Sequence, residues 1–269
     1  YCTKVNKERK KNGEEPFKPI FGCEMYVARR TMHDKDKSMH DNSGYHLIVL
    51  AKNYNGYKNL IKLVSHAWVD GYYYRPRTDR AELEKYHEDL IVCSACIAGE
   101  IPSKIIHGDI DGAREACEWY HRVFGDDFYL ELQRHEVKDP TILANREAFP
   151  LQQKANKVLL QFAKEYGIKV VCTNDCHFED KETAEAHDHL LCLATNEDLD
   201  DPKRMRYSKQ EWFKSRQEMN DVFSDIPEAL TNTLEVLDKV EIYSIDHGPI
   251  MPFFPIPESF GTEEEWEKK

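Results

Sequence analysis

The chain lacks what a membrane protein or a secreted one would carry. No apolar run comes near the ~18 to 20 residues that a spanning helix needs, and the N-terminus has no charged start, apolar stretch and small-residue cleavage site in succession. An excess of positive charge is missing too: 37 Lys and Arg face 49 Asp and Glu, for a formal net charge of −12. Phosphate attraction needs a basic face, so the chain as a whole is excluded as an unspecific duplex-DNA binder, although local basic patches are not. No internal repeat is visible. The first residue, Tyr1, is not an initiator Met, which points to a processed chain or a cut fragment.

What is present indicates a folded α/β protein. The 269 residues suffice for one large domain or two small ones, and 41% apolar residues with four Trp argue against disorder. Eight Cys without a secretory signal read as reduced thiols in a cytoplasmic protein. Five short apolar runs, 19–28, 45–51, 89–95, 127–133 and 168–174, have the length and composition of strands covered on both faces. Helical stripes lie between them: Tyr57, Leu60, Ile61, Val64 and Trp68; Ala113, Ala116, Cys117, Tyr120 and Phe124, closed by Gly125; and Ala155, Val158, Leu159, Phe162 and Ala163, followed by Gly167. Asp79 with Glu82 resembles a capping box. Alternation of this kind predicts mostly parallel strands, as an open sheet or a barrel. Beyond about residue 195 two further helices are expected, then a Pro-rich, acidic linker over 246–269 that leaves a domain of 1–245.

The polar residues at the strand ends form a candidate site. Glu24 closes the first run, Cys96 follows the third, His135 the fourth, and Asp175 with His177 closes the fifth. In parallel α/β folds active sites gather at the carboxyl ends of the strands. His46 opens the second run, the wrong end for a parallel strand. Side chains at i and i+2 on a strand share a face, so Asp175 and His177 can point into one pocket. Carboxylate, imidazole and thiolate together suit Zn²⁺, with Mn²⁺ or Fe²⁺ as alternatives. The plainer alternative makes Asp175 a helix cap and His177 a loop residue.

Other groupings have their own alternatives. Cys93-x-x-Cys96 with Cys172-x-x-x-Cys176 suggests a structural zinc site, against which Cys93 and Cys96 point to opposite faces of a strand. His187 and His189 lie in a helical pattern where i and i+2 diverge by about 200°, so they do not share an ion, and His187 belongs at the rim or on the surface. The stretch "GYYYRPR", with Arg75 and Arg77, suits phosphate contact or base stacking, or is a turn packed on the domain. Residues 202–216 are the one basic stretch, either a phosphate contact or a solvated face.

"KPIFGCEMYVA", "YHLIVLAKNYNGYKNLIKLVSHA", "GYYYRPRTD", "LIVCSACIAGEI", "FYLELQRH" and "VVCTNDCHF" occur in order. They resemble the PHP (polymerase and histidinol phosphatase) domain of bacterial replicative DNA polymerase III alpha subunits. That resemblance implies a distorted seven-stranded (β/α) barrel with metal ions at the strand ends. It implies Glu24, His46, Cys96, Asp175 and His177 as metal ligands and no catalytic residue independent of them; beside these, His135, Arg77 and His187 are expected as second-layer or phosphate-contacting groups. The family's His-x-His and Thr-Asp-His-Gly motifs are absent, and residues 1–15 read as a helix and charged insert that follow them, so the barrel is expected to be incomplete at its N-terminus. The resemblance further implies Zn²⁺ or Mn²⁺ at this site and Mg²⁺ in a separate polymerase domain. As partners it implies DNA through a parent polymerase, a proofreading exonuclease and other replisome subunits, with no membrane. On this view the chain alone does not polymerise DNA. The activity implied is 3′–5′ exonuclease hydrolysis or docking of a separate exonuclease. The alternatives are a stand-alone phosphoesterase for a small phosphate monoester and a metal-free docking module.

Overall fold

The computed structural model describes residues 1–137, 146–252, 259 and 261. Six strands are formed: β1 (Gly22–Ala28), β2 (Gly44–Ala51), β3 (Arg77–Thr78), β4 (Leu90–Cys93), β5 (Phe128–Leu132) and β6 (Lys169–Cys172). They make one sheet in the order β3-β1-β2-β4-β5-β6. Nine helices are present among the described residues: α1 (Cys2–Lys11), α2 (Tyr54–Val69), α3 (Arg80–Lys85), α4 (Glu100–Ile106), α5 (Ile110–Phe124), α6 (Ala148–Tyr166), α7 (Ala184–Thr195), α8 (Arg216–Val222) and α9 (Pro227–Lys239). The sheet does not close, since β3 and β6 lie at its two edges. This agrees with an incomplete barrel of the PHP type. Most of the Pro-rich segment expected as a linker lies outside the described residues.

The strands are mostly parallel, as expected, with one exception. Strand β2 runs antiparallel to both β1 and β4, whereas β1–β3, β4–β5 and β5–β6 are parallel. The β1–β2 connection is a loop of 15 residues (29–43) without a crossover helix, and an antiparallel pair needs none. An apolar run reads the same in either direction, so the sequence pattern did not reveal this.

The two faces of the sheet differ. Met25, Val27, Leu47, Val49, Leu130 and Leu132 join a large core with α2, α4, α5 and α6. Each fully buried Leu, Ile or Phe there contributes roughly 1.5–3 kcal/mol. Ile91, Cys93, Tyr129 and Val171 point the other way, into a smaller cluster capped by Val236 and Val240 at the end of α9. Strand alternation therefore sends Glu24, Tyr26, His46 and Glu131 to this second face.

Helix α5 buries the stripe expected of it, from Ala113 to Phe124, and Gly125 ends it at a φ of 54°. Gly167 ends α6 in the left-handed region. Helix α2 is rotated from its expected stripe: Gly56, Asn59, Leu60, Leu63 and Ala67 are buried, whereas Ile61 and Trp68 are 46% and 58% exposed. Its sequence is apolar around more than one arc, and the sheet beneath it selects the arc with the smaller residues. Asp79 caps α3 by accepting from Glu82 N at 3.0 Å, and its other oxygen accepts from Met32 N at 2.9 Å.

Candidate metal centre

The antiparallel course of β2 resolves the misplaced histidine. Because β2 runs backwards, its first residues lie beside the carboxyl ends of β1 and β4, with His46 opposite Tyr26. His46 N donates to Ala98 O at 3.1 Å, which ties β2 to the loop after β4. That loop turns through Ala95 at a φ of 61° and closes with Gly99 N donating to Cys96 O at 2.8 Å, just before α4 begins. The Cys96 sulfur is thereby brought to 3.5 Å from His46 Nδ1. Glu24 Oε1 lies 2.5 Å from the same nitrogen. Glu24 does not close β1 as expected but sits third in it, on the face shared with Tyr26.

Asp175 and His177 reach the same cavity by another route. Strand β6 ends at Cys172, so the two are not on a strand, and the i, i+2 argument does not hold. Asp175 instead adopts a left-handed turn at a φ of 48°, an uncommon conformation of the kind that clusters at functional sites. Asn174 Nδ2 donates to Gln210 O and Trp212 O at 2.8 Å each, and His177 N donates to Glu211 O at 2.8 Å. His177 Nδ1 donates to Asp175 O at 2.7 Å, which leaves Nε2 to accept from the Tyr207 hydroxyl at 2.9 Å. The Asp175 carboxylate lies 4.0 Å from His177 Nδ1.

The cavity has a volume of about 420 Å³ and is lined by Glu24, His46, Cys96, Asp175 and His177, together with Tyr26, Gln133, His135, Gln152, Arg206, Tyr207 and Glu211 among others. Glu24, His46 and Cys96 each offer a ligand atom within 4.8 Å of the others, the one such group of three among the described residues. Its oxygen, nitrogen and sulfur donors form a borderline-soft set that fits Zn²⁺. The electrostatics agree with a place for a cation. Hydrogen bonding to the Cys96 sulfur, and next to the Glu24 carboxylate, pushes the His46 imidazole up to about 10. The hydrogen bond from His46 holds Glu24 below the usual carboxylate range. Burial pushes Asp175 up, and burial with the nearby Asp175 charge pushes the Tyr207 phenol up to about 12.

The other residues expected in the site fall into distinct places. His135 lines the cavity, but both of its ring nitrogens are engaged. Gln152 Oε1 accepts from His135 N at 2.8 Å, which turns Gln152 Nε2 to donate to His135 Nδ1 at 3.0 Å, while Nε2 donates to Asn174 O at 3.3 Å. Burial lowers its pKa, so it acts as a neutral brace between β5 and the Asp175 loop. Arg77 is fully buried, and its guanidinium is taken up by four backbone carbonyls, which leaves no edge for a phosphate. His187 stacks among His177, Phe178 and Tyr207 with ring centroids 5.1–6.0 Å away. His189 turns outward and bonds to Glu185 O, in keeping with the divergence expected on a helix. All eight cysteines are unpaired, and Cys93 is buried in the second apolar cluster while Cys96 lines the cavity.

Sequence reasoning missed Tyr207, Glu211, Gln133 and Gln152. The basic stretch 202–216 stands out in the sequence only by its charge, yet it lies over the cavity, anchored by the buried Arg204–Asp188 pair with contacts of 2.7 and 2.8 Å. The alternation of basic residues with Tyr207 was the available signal. Replacing Asp188 by Ala leaves the Arg204 guanidinium without its carboxylate, so this segment should come loose from α7. Limited trypsin digestion at Lys203, Arg206 and Lys209 is expected to accelerate at least about tenfold, with the far-ultraviolet circular dichroism little changed.

The chain matches the PHP domain family over residues 1–135. It is 41% identical to the DNA polymerase III subunit alpha of Borreliella burgdorferi over 263 residues, which cover 97% of this chain and 22% of that protein. The subunit of the same name from Treponema pallidum is 34% identical over 94% of this chain and 21% of its own length. The one from Thermus aquaticus is 36% identical over 90% and 19%. The chain thus spans about a fifth of the length of these relatives. Together, the open mixed sheet, the polar cavity at its carboxyl edge and these matches show that the chain belongs to the PHP domain family, with DNA polymerase III alpha subunits as its named relatives.

Proposed function

We infer that this chain is part of the alpha subunit of a replicative DNA polymerase. We also infer that its cavity is a divalent-metal centre for hydrolysing the terminal phosphodiester of a DNA strand, in the manner of a 3′–5′ proofreading exonuclease. The observation that carries the hydrolytic reading is the convergence of Glu24, His46 and Cys96 within 4.8 Å in a cavity that Asp175 and His177 also line. The length and identity of the matches to polymerase alpha subunits support the parent assignment.

When bound, Zn²⁺ or Mn²⁺ supplies a Lewis acid that lowers the pKa of water and offsets phosphate charge. Glu24, His46 and Cys96 would hold one ion, and Asp175 and His177 are placed to hold another or to complete the set. The remaining side chains prepare the pocket. The backbone carbonyl of Asp175 fixes the His177 ring through Nδ1, so Nε2, which accepts from the Tyr207 hydroxyl, faces the cavity and would exchange that hydrogen bond for an ion. Burial holds His135 neutral between Gln152 and Asn174, so it adds no charge that would repel a cation. Arg206 is exposed on the cavity wall, where a phosphate oxygen would meet a guanidinium.

Elemental analysis after loading with Zn²⁺ or Mn²⁺ and desalting tests this reading. At least one ion per chain is expected in the wild type, with loss in His46→Ala and Cys96→Ala. The loaded wild type should also shorten a 5′-labelled single strand from its 3′ end. A wild-type chain that retains no metal would falsify the hydrolytic role.

A further inference from the structure

We propose that the strip Lys37–Tyr74–Arg75–Tyr26 is a track for single-stranded DNA, leading the end of the strand along the β3 edge into the cavity. This rests on the hydrolytic reading of that cavity. The first observation is Tyr74, a bulky side chain that is 58% exposed although its backbone is held at a φ of 63°. A bulky non-Gly residue in the left-handed region stores strain and persists only where its surroundings enforce it. Here the turn presents an aromatic ring to solvent, edge-on to Tyr73 at 4.9 Å, with Lys37 Nζ 5.9 Å from its centroid.

The second observation is Arg75. It is exposed, and among the described residues its guanidinium has neither an ion pair nor a hydrogen bond, in a chain with a surplus of carboxylates. It lies instead 5.7 Å over the Tyr26 ring. Tyr26 in turn stands edge-on to His46 at 5.1 Å and forms part of the cavity wall. Cation and aromatic ring therefore alternate from the surface to the metal-binding donors. That is the composition that holds a single strand without regard to sequence: rings stack on any base and cations follow the phosphates. A duplex, whose bases are already stacked, offers no free face to Tyr74.

Fluorescence anisotropy with a labelled oligo(dT) of about twelve nucleotides, in EDTA and about 50 mM salt, tests the track without any contribution from metal. The full chain should bind, and binding should weaken steeply as salt rises. Arg75→Gln and Tyr74→Asn, the latter chosen because Asn accepts the left-handed turn, should each weaken it by about tenfold. Duplex of equal length should compete poorly. Wild-type affinity in both variants, equal competition by duplex, or no binding by the wild type overturns the proposal. Metal content is read separately: a chain that holds metal but ignores oligo(dT) loses only the track, and a chain that binds oligo(dT) but holds no metal loses only the hydrolytic reading.

Discussion

Replacing Arg77 by Met should lower the unfolding free energy by about 3–5 kcal/mol, because several buried carbonyls lose their donor at about 1–3 kcal/mol each. Arg77 has no solvent-accessible surface. Its Nε donates to Gly71 O at 3.1 Å, Nη1 to Asp41 O at 2.8 Å, and Nη2 to Met32 O and Asp34 O at 2.8 and 3.0 Å. One side chain thus satisfies carbonyls from the loop after β1 and from the turn before β3. Methionine fills the volume but leaves those acceptors without donors. Lysine should rescue little, because its single ammonium cannot span the fork that the planar guanidinium reaches. Gly71 belongs to the same arrangement: a Cβ there would lie 1.9 Å from Arg77 O, so Gly71→Ala should displace the strand that Arg77 sits on. Urea titration measures all three variants. A loss below about 1 kcal/mol in Arg77→Met would mean that water replaces the guanidinium at these carbonyls.

Glu131→Gln should act in the opposite direction. Glu131 is buried on the second face of the sheet, where Oε1 accepts from Gln133 Nε2 at 3.0 Å and from the Thr173 hydroxyl. Among the described residues Oε2 has no partner. Burial pushes its pKa up, the two hydrogen bonds pull it down in part, and the charges of Asp175 and Glu24 push it up again. Gln keeps the accepting oxygen and replaces the lone one with an amide. The variant is expected to be about 1–3 kcal/mol more stable than wild type at pH 8 in EDTA. The sign of the pH dependence follows from the raised folded pKa. The folded wild type binds this proton more tightly than the unfolded chain, so its stability falls as pH rises from the unfolded value through the folded one. The advantage of Gln should therefore grow with pH across that window and shrink below it. Denaturation midpoints between pH 4.5 and pH 8 measure it, and a pH-independent difference would show that the carboxyl has the same pKa in the folded and the unfolded chain.

Much of the architecture was readable in the chain. The five longer strands fall within the apolar runs or within one residue of them, because fully covered strands must be apolar along their length. Helix α5 and its Gly125 stop were readable since its stripe is narrow and unambiguous. The two-residue β3 was not, because so short a segment has no period. The chain's own residues also pointed to Glu24, Cys96, Asp175 and His177 as polar groups near strand ends. His46 came from family resemblance against the local evidence, and only the reversed β2 gave it a geometric reason.

The sequence by itself determined the five longer strands and most of the helices, and which side chains have metal-ligand chemistry, since both depend on local composition and spacing. Tertiary structure decided the direction of β2, the arc of α2 that is buried, the burial of Arg77, and the arrival of Tyr207 and Glu211 over a cavity whose walls include Glu24 and His46, far away in sequence. The physical reason is common to all four. Hydrophobic pattern carries no direction, a guanidinium is equally suited to a phosphate and to four carbonyls, and only the packing of distant segments selects between such equivalent local choices.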